Sequence, residues 1–191
     1  MPRNGEDARR RLRNAALELI VERGYDATTA AEIAARAGVT ERTFFRHFRD
    51  KREALFDGEE AFRDTLTATV LAAPEGADPL GALFQAFLAV EPMIMENRTF
   101  SGPRETIIAQ TPALQERVLT KTAWLIDALA GALRQRGVEP PLATFAAQVG
   151  MAAFNYATAA WGADPPSGLK VNLERAFEQL SGLSGSGPKV G

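Results

Sequence analysis

The stretch GVTERTFFRHFRDK, Gly38 to Lys51, sets four cations (Arg42, Arg46, Arg49 and Lys51) among three phenylalanines and the only histidine of the chain, His47. At 100° per residue, Phe44 and Phe48 share one side of a short helix over about residues 41–47, with Arg42 and Arg46 roughly opposite. Thr43 and His47 lie on the adjacent flank and Phe45 sits at the border. Thr40 is placed to cap this helix, and Gly38 supplies the tight turn ahead of it. So short a helix buries little of itself, and four or five side chains are left facing outward. Such a surface is either a solvated amphipathic face or one that reads nucleic acid.

The flanking sequence favours the second reading. A helix over about 7–23 carries Ala8, Leu12, Ala15, Ala16, Leu19 and Ile20 on one face, and Gly24 follows Arg23 as a stop. Thr29-Ala-Ala-Glu32 has the spacing of a capping box and opens a second short helix with Ile33, Ala34 and Ala37 inward. Two short helices around a glycine turn, preceded by a third, make a helix-turn-helix arrangement. Charge agrees with it. Residues 1–52 carry 12 Lys and Arg against 8 Asp and Glu, whereas residues 53–191 carry 10 against 16. A basic head on an acidic body puts the polyanion contact on the head alone.

The rest of the chain reads as helix at nearly every step, so the expected class is all-α. Asp50 to Glu53 repeats the capping-box spacing and is expected to start one long helix through about Leu71. After the break at 72–79, further helices are expected over about 80–90, with Pro92 ending or kinking that one, and then from Gly102-Pro103 to Gln110. Longer ones follow from Thr111-Pro112 to Arg136, from Pro140 to about Trp161, and over about 166–183. The division expected is a head at 1–52, a helical body at 53–183 and a flexible Gly/Ser tail at 184–191.

Composition removes several classes of function. With no cysteine and one histidine there is neither a thiolate nor a histidine-based metal site, and no Ser-His-Asp triad is expected. No cofactor is expected, no paired carboxylates emerge, and an enzyme is not the reading. The N-terminus shows no apolar run after its charges, so a cytoplasmic protein is expected. Residues 140–163 lack any charge, but Gln148, Asn155, the glycines and the Pro-Pro entry suit a buried helix better than a membrane span. That helix carries two stripes. One is small (Ala143, Ala146, Gly150, Ala153, Ala157, Ala160) and the other bulky (Leu142, Phe145, Val149, Tyr156).

TTAAEIAARAGVTERTFFRHFRDKREAL, Thr28 to Leu55, resembles the DNA-binding domain of TetR-family transcriptional regulators. The threonine pair, Ile33-Ala34, Ala37-Gly38-Val39, Phe44-Phe45, Phe48 and Lys51 fall in register with it, over about residues 8–56. The resemblance implies a DNA-binding head joined to a helical ligand-binding and dimerisation domain. It places Thr29, the amide of Ala30, and Thr40 at helix N-termini where phosphate binds. Glu41, Arg42, Thr43 and Phe45 would enter the major groove, with Arg42 suited to guanine and Thr43 or Phe45 to a thymine methyl. Arg46, His47 and Lys51 would hold the backbone; Arg46 stands where the family often has tyrosine. Ala31 cannot supply the base contact that some relatives make there.

For the body, the resemblance implies a four-helix interface between the last two helices of two subunits. Ala146, Gly150, Ala153, Ala157, Leu173, Phe177 and Leu180 are the residues expected in it. Phe84, Phe87, Met93, Ile107, Trp124, Phe154 and Trp161 are either plain core or the lining of an apolar pocket; Asp127 either faces that pocket or is solvated. The expected function is a homodimeric regulator, most simply a repressor, on a palindromic double-stranded operator and controlled by a small apolar effector. A DNA-binding dimer without an effector is the first alternative. A helical enzyme or lipid carrier on the same fold is the second.

Overall fold

The computed structural model of the protein describes residues 3–164 and 167–185, which form eleven α-helices and no strand. They fall into two compact units, residues 1–59 with 96–118, and residues 60–95 with 119–191. This partition differs from a linear head at 1–52, because residues 96–118 return to the N-terminal unit.

In the first unit, α1 (Arg3–Arg23), α2 (Ala30–Arg36) and α3 (Glu41–His47) enclose Leu12, Ala16, Leu19, Ile33, Ala34, Phe44 and Phe48. The capping logic holds locally. Glu32 N donates to the Thr29 hydroxyl while the Glu32 carboxylate accepts from Thr29 N at 3.0 Å, and Thr43 N donates to Thr40 Oγ1 at 3.2 Å. Gly38 takes φ +67 between α2 and α3, where a side chain would be strained. On the far side of α1, Leu17 and Ile20 join Leu55, Phe56, Ile107 and Leu114 in a second cluster. This cluster is why α8 (Arg98–Gln110) and the first turns of α9 (Pro112–Gln135) belong here.

The single helix expected over 51–71 is divided in two, α4 (Lys51–Ala54) and α5 (Glu59–Ala72). Gly58 adopts φ +88, which ends right-handed helix, and the intervening turn directs Leu55 and Phe56 into the second cluster. Side chains from α8 and α9 hold the turn in place. Arg104 Nε donates to Leu55 O at 2.6 Å, and the Arg104 and Arg117 guanidiniums lie 4.6 and 5.1 Å from the Phe56 ring centre. Arg117 also bonds Glu53 at 2.9 Å and Glu59 at 2.5 Å. Only half of the second capping box therefore forms. Asp50 accepts from Glu53 N at 3.0 Å, but the Glu53 carboxylate turns to Arg117. Helix α8 likewise starts earlier than expected, with Pro103 inside it.

The second unit contains the remainder of α5 and α9, with α6 (Pro79–Ala89), α7 (Glu91–Glu96, all but its last residue), α10 (Pro140–Ala163) and α11 (Leu169–Gly185). Leu66, Val70, Leu83, Phe87, Leu129, Leu133, Ala143, Ala147 and Leu173 are wholly or almost wholly buried in its core. A Cβ on Gly150 would sit 2.9 Å from Leu83 Cδ1, so the small face of α10 is what admits α6 at close range. Arg136 donates to the Val70, Ala73 and Pro74 carbonyls and closes the C-terminus of α5. Among the described residues no helix is long and apolar enough to cross a membrane. Helix α11 continues to Gly185, and residues 186–191 of the expected tail lie outside the described residues.

Arg117→Met should leave the two partly buried carboxylates of Glu53 and Glu59 without their shared cation. The expected loss is about 2–4 kcal/mol in urea unfolding, somewhat under the cost of breaking a fully buried pair because all three groups keep some solvent. A loss below about 0.5 kcal/mol would show the pair to be an ordinary surface contact.

Candidate nucleic-acid interface

Helix α3 turns Phe44 and Phe48 inward and exposes Glu41, Arg42, Phe45 and Arg46, with Thr43 and His47 half-buried on the flank. Phe45 packs edge-on to Phe44 at 5.3 Å yet remains 53% exposed, an apolar side chain presented at the surface. The Thr40 hydroxyl lies 3.0 Å from that of Thr43 at the helix start, and Thr29 spends its hydroxyl on Glu32. Ala30 is the first residue of α2, and Ala31 beside it is exposed.

The head's cations divide into two groups. Arg9 pairs with Asp57 and Arg10 with Asp7, each at 2.6 Å. Arg11 donates to Ala37 O at 2.7 Å and reaches Asp7; Arg13 donates to Asn97 at 2.9 Å. Arg23 pairs with Glu32, Arg36 with Glu22 and Glu18, and Arg52 with Asp50. Arg42, Arg46 and Arg49 are exposed and make no ion pair or hydrogen bond to any described residue. All three lie on α3 or directly after it. Arg42 and Arg46 lie on the helix face that the sequence pattern marks, whereas Arg49 falls outside the helical span and carries no such signal.

Lys51 and His47 are less open than their expected roles suggest. Lys51 Nζ donates to Tyr25 O at 2.5 Å and Thr28 O at 2.8 Å, and lies 4.2 Å from the Tyr25 ring centre. It ties the α1–α2 loop to the start of α4 and keeps at most one N–H for another acceptor. His47 has a buried Nε2 without a hydrogen-bond partner. Burial, with Arg46 and Arg9 near, holds its imidazole below the ordinary value; Asp57 opposes the shift.

In the body the structure gathers most of the expected pocket residues and separates two. Phe87 stacks on Phe154 at 4.6 Å, Phe154 meets Phe62 at 6.2 Å, and Phe84 packs edge-on to Phe177 at 5.2 Å. Trp161 is buried in the same core, with Met93 and Trp124 half-buried against it and Arg63 over the Trp124 ring. Ile107 belongs instead to the cluster of the first unit, and Asp127 is exposed. A shallow depression of about 300 Å³ lies between α6 and α11, lined by Phe84, Glu174, Phe177, Glu178 and Ser181.

The residues expected between subunits are largely used within one. Ala146, Gly150, Ala153 and Ala157 are buried in the chain's own core, as is Leu173, while Phe177 packs on Phe84 and Leu180 is half-buried. The face of α10 left open is the bulky stripe. Leu142, Phe145 and Tyr156 are 52%, 63% and 56% exposed, with Val149 half-buried between them.

Two family models match the chain. "Bacterial regulatory proteins, tetR family" covers residues 12–57, and "MftR C-terminal domain" covers residues 77–183. The HTH-type transcriptional regulator TcmR of Streptomyces glaucescens is 41% identical over 75 residues, which is 39% of this chain and 33% of that protein. The match therefore spans about a third of that relative's length. Among solved structures, NalD of Pseudomonas aeruginosa, the secondary repressor of the MexAB-OprM multidrug efflux pump, superposes with TM-score 0.62 and 23% identity over 92% of this chain and 96% of that one. SmeT of Stenotrophomonas maltophilia, in complex with triclosan, gives TM-score 0.61 and 22% identity over 90% of both chains. At these identities the structural likeness speaks for the fold alone.

The environments of Lys51 and His47 give two expected outcomes. Lys51→Met removes two bonds from a charged donor to backbone carbonyls and should lower stability by about 1.5–3 kcal/mol in urea unfolding. A purely external role for Lys51 would leave stability unchanged. Because the folded His47 resists a proton that the unfolded chain accepts, its stability contribution is whole above pH about 6.5 and declines as pH falls from there through the folded value. His47→Gln should weaken that decline between pH 7.5 and 5.5 on the same urea curves. An unchanged decline would place the acid sensitivity elsewhere.

Proposed function

The chain belongs to the tetR family of bacterial regulatory proteins, and from that membership we propose that it is a cytoplasmic repressor whose homodimer binds a palindromic operator until a small apolar effector enters the body. The observation that carries the DNA-binding part is the division of charge. From Arg9 to Arg36, and at Lys51 and Arg52, the head's cations are paired with carboxylates or engaged by carbonyl and amide oxygens, which leaves those of α3 and the residues just after it for an outside anion. Arg42 in the first turn of α3 has the planar fork that pairs with guanine O6 and N7, and exposed Phe45 offers an apolar contact to a thymine methyl. A dimer presents two such helices, so two half-sites about one helical turn or a multiple apart are required. Family membership points to a DNA-binding regulator rather than an enzyme.

The stripe Leu142, Phe145, Val149 and Tyr156 supports dimerisation through α10. Its members are spaced by three, four and seven residues, which keeps them on one face, and Leu142, Phe145 and Tyr156 remain more than half exposed in the subunit. The effector part is supported by the aromatic content of the body, through which a ligand would shift the populations of two body conformations. Helices α5 and α9 contribute residues to both compact units and would carry that shift. The stacking of Phe87 on Phe154 also favours a second reading, a body that is fully packed and serves dimerisation only.

Protection of an inverted repeat upstream of the protein's own gene tests the whole proposal, and failure to bind any upstream sequence would defeat it. Arg42→Ala should cost about 1–3 kcal/mol per half-site on that repeat and relax preference at one base pair, with scrambled duplex affected less. Phe145→Glu should yield folded monomers by sedimentation, whereas Ala157→Glu should unfold the subunit because its site is already filled from within. A dimeric Phe145→Glu protein would move the interface off α10.

A further inference from the structure

We propose that Arg49, between α3 and α4, is a phosphate-binding residue of the head, sharing the backbone contact with Arg46 while Lys51 spends two of its three donors inside the head; this rests on the DNA-binding reading above. The neighbours of Arg49 hold it in place without neutralising it. Phe48 before it is buried in the head core in extended conformation (φ −135, ψ 137). Asp50 after it caps α4, accepting from Glu53 N at 3.0 Å, and its carboxylate is 3.4 Å from Arg52. The backbone of Arg49 is thus anchored on both sides, while its side chain is exposed and free of any ion pair or hydrogen bond to a described residue.

A cation in that setting differs from the other arginines of the head. The triplet Arg9, Arg10 and Arg11 looks on paper like a basic arm, yet Asp57, Asp7 and the Ala37 carbonyl take its guanidiniums. Moving any of them to phosphate would first break a pair, so the net gain in counterion release is small. Arg49 gives up only water. Its position beyond the C-terminal end of α3, whose first turn carries Arg42, suits a backbone phosphate flanking the bases rather than a base edge. The expected division is Arg42 on bases, with Arg46 and Arg49 on the backbone.

The test is the salt dependence of binding by full-length protein to a duplex of arbitrary sequence and to the protected upstream repeat. Each phosphate contact contributes about 0.9 to the slope of log affinity against log salt, so Arg49→Gln should flatten the dimer's slope by about two units on both duplexes. Arg49→Lys should retain the slope, since a point charge suffices. Arg10→Gln, at a site that is also exposed but internally paired, should change it far less. An Arg49→Gln protein that keeps the wild-type slope, or an Arg10→Gln protein that loses as much, overturns the assignment of Arg49 and leaves the regulatory reading standing. A wild type that binds neither duplex overturns both.

Discussion

Burial of Phe44, fully removed from solvent in the cluster with Leu12, Ile33 and Ala34, is the constraint from which the head's surface follows. A helix of seven residues is far below the length at which helical hydrogen bonding sustains itself in water. Helix α3 persists because Phe44 and Phe48 are anchored beneath it, Thr40 caps its start, and the left-handed Gly38 sets its entry. Once those are in place, the direction of every other side chain follows from helix geometry. Arg42, Phe45 and Arg46 face outward because Phe44 faces inward.

Charge in the head is arranged by subtraction. Its surplus of cations over acids would attract any polyanion from all sides if each cation were free. Carboxylates and carbonyls of the same unit instead neutralise or engage the cations of α1, α2 and α4, and the uncancelled ones gather on α3 and the residue pair after it. Even Lys51 is consumed in this way, holding two carbonyls of the α1–α2 loop. The engaged lysine and the three open arginines are thus parts of one arrangement. The first set ties the head's helices and loops together, and the second is what the proposed DNA contact would use.

The junction between α4 and α5 shows how a local signal yields to a tertiary one. A capping motif followed by good helix formers predicts one helix from Asp50, and the cap does form. The helix nevertheless stops at Ala54. Burying Leu55 and Phe56 beside Ile107 and Leu114, with Arg104 and Arg117 around the Phe56 ring, requires a turn there, and Gly58 permits it. The groups responsible lie about fifty residues or more away along the chain, which no windowed reading of helical period can register.

What the amino-acid sequence determined by itself is whatever depends on neighbours a few residues apart: the three head helices, their threonine caps, the glycine turn, the inward Phe44 and Phe48, and the all-helical body. These are short-range consequences of backbone geometry and side-chain spacing, so they are legible in one dimension. Tertiary structure alone decided which of two apolar stripes on α10 packs inside the subunit. The small ridge of Ala146, Gly150, Ala153 and Ala157 is taken up within it, Gly150 by Leu83 and Phe87, and the bulky stripe is left open. It decided equally that Ile107 belongs to the first unit, that Asp127 is solvated, and that Lys51 rather than Arg49 is tied down. In each case the partner comes from distant sequence, and competition among equally plausible contacts is settled only when the whole chain is packed.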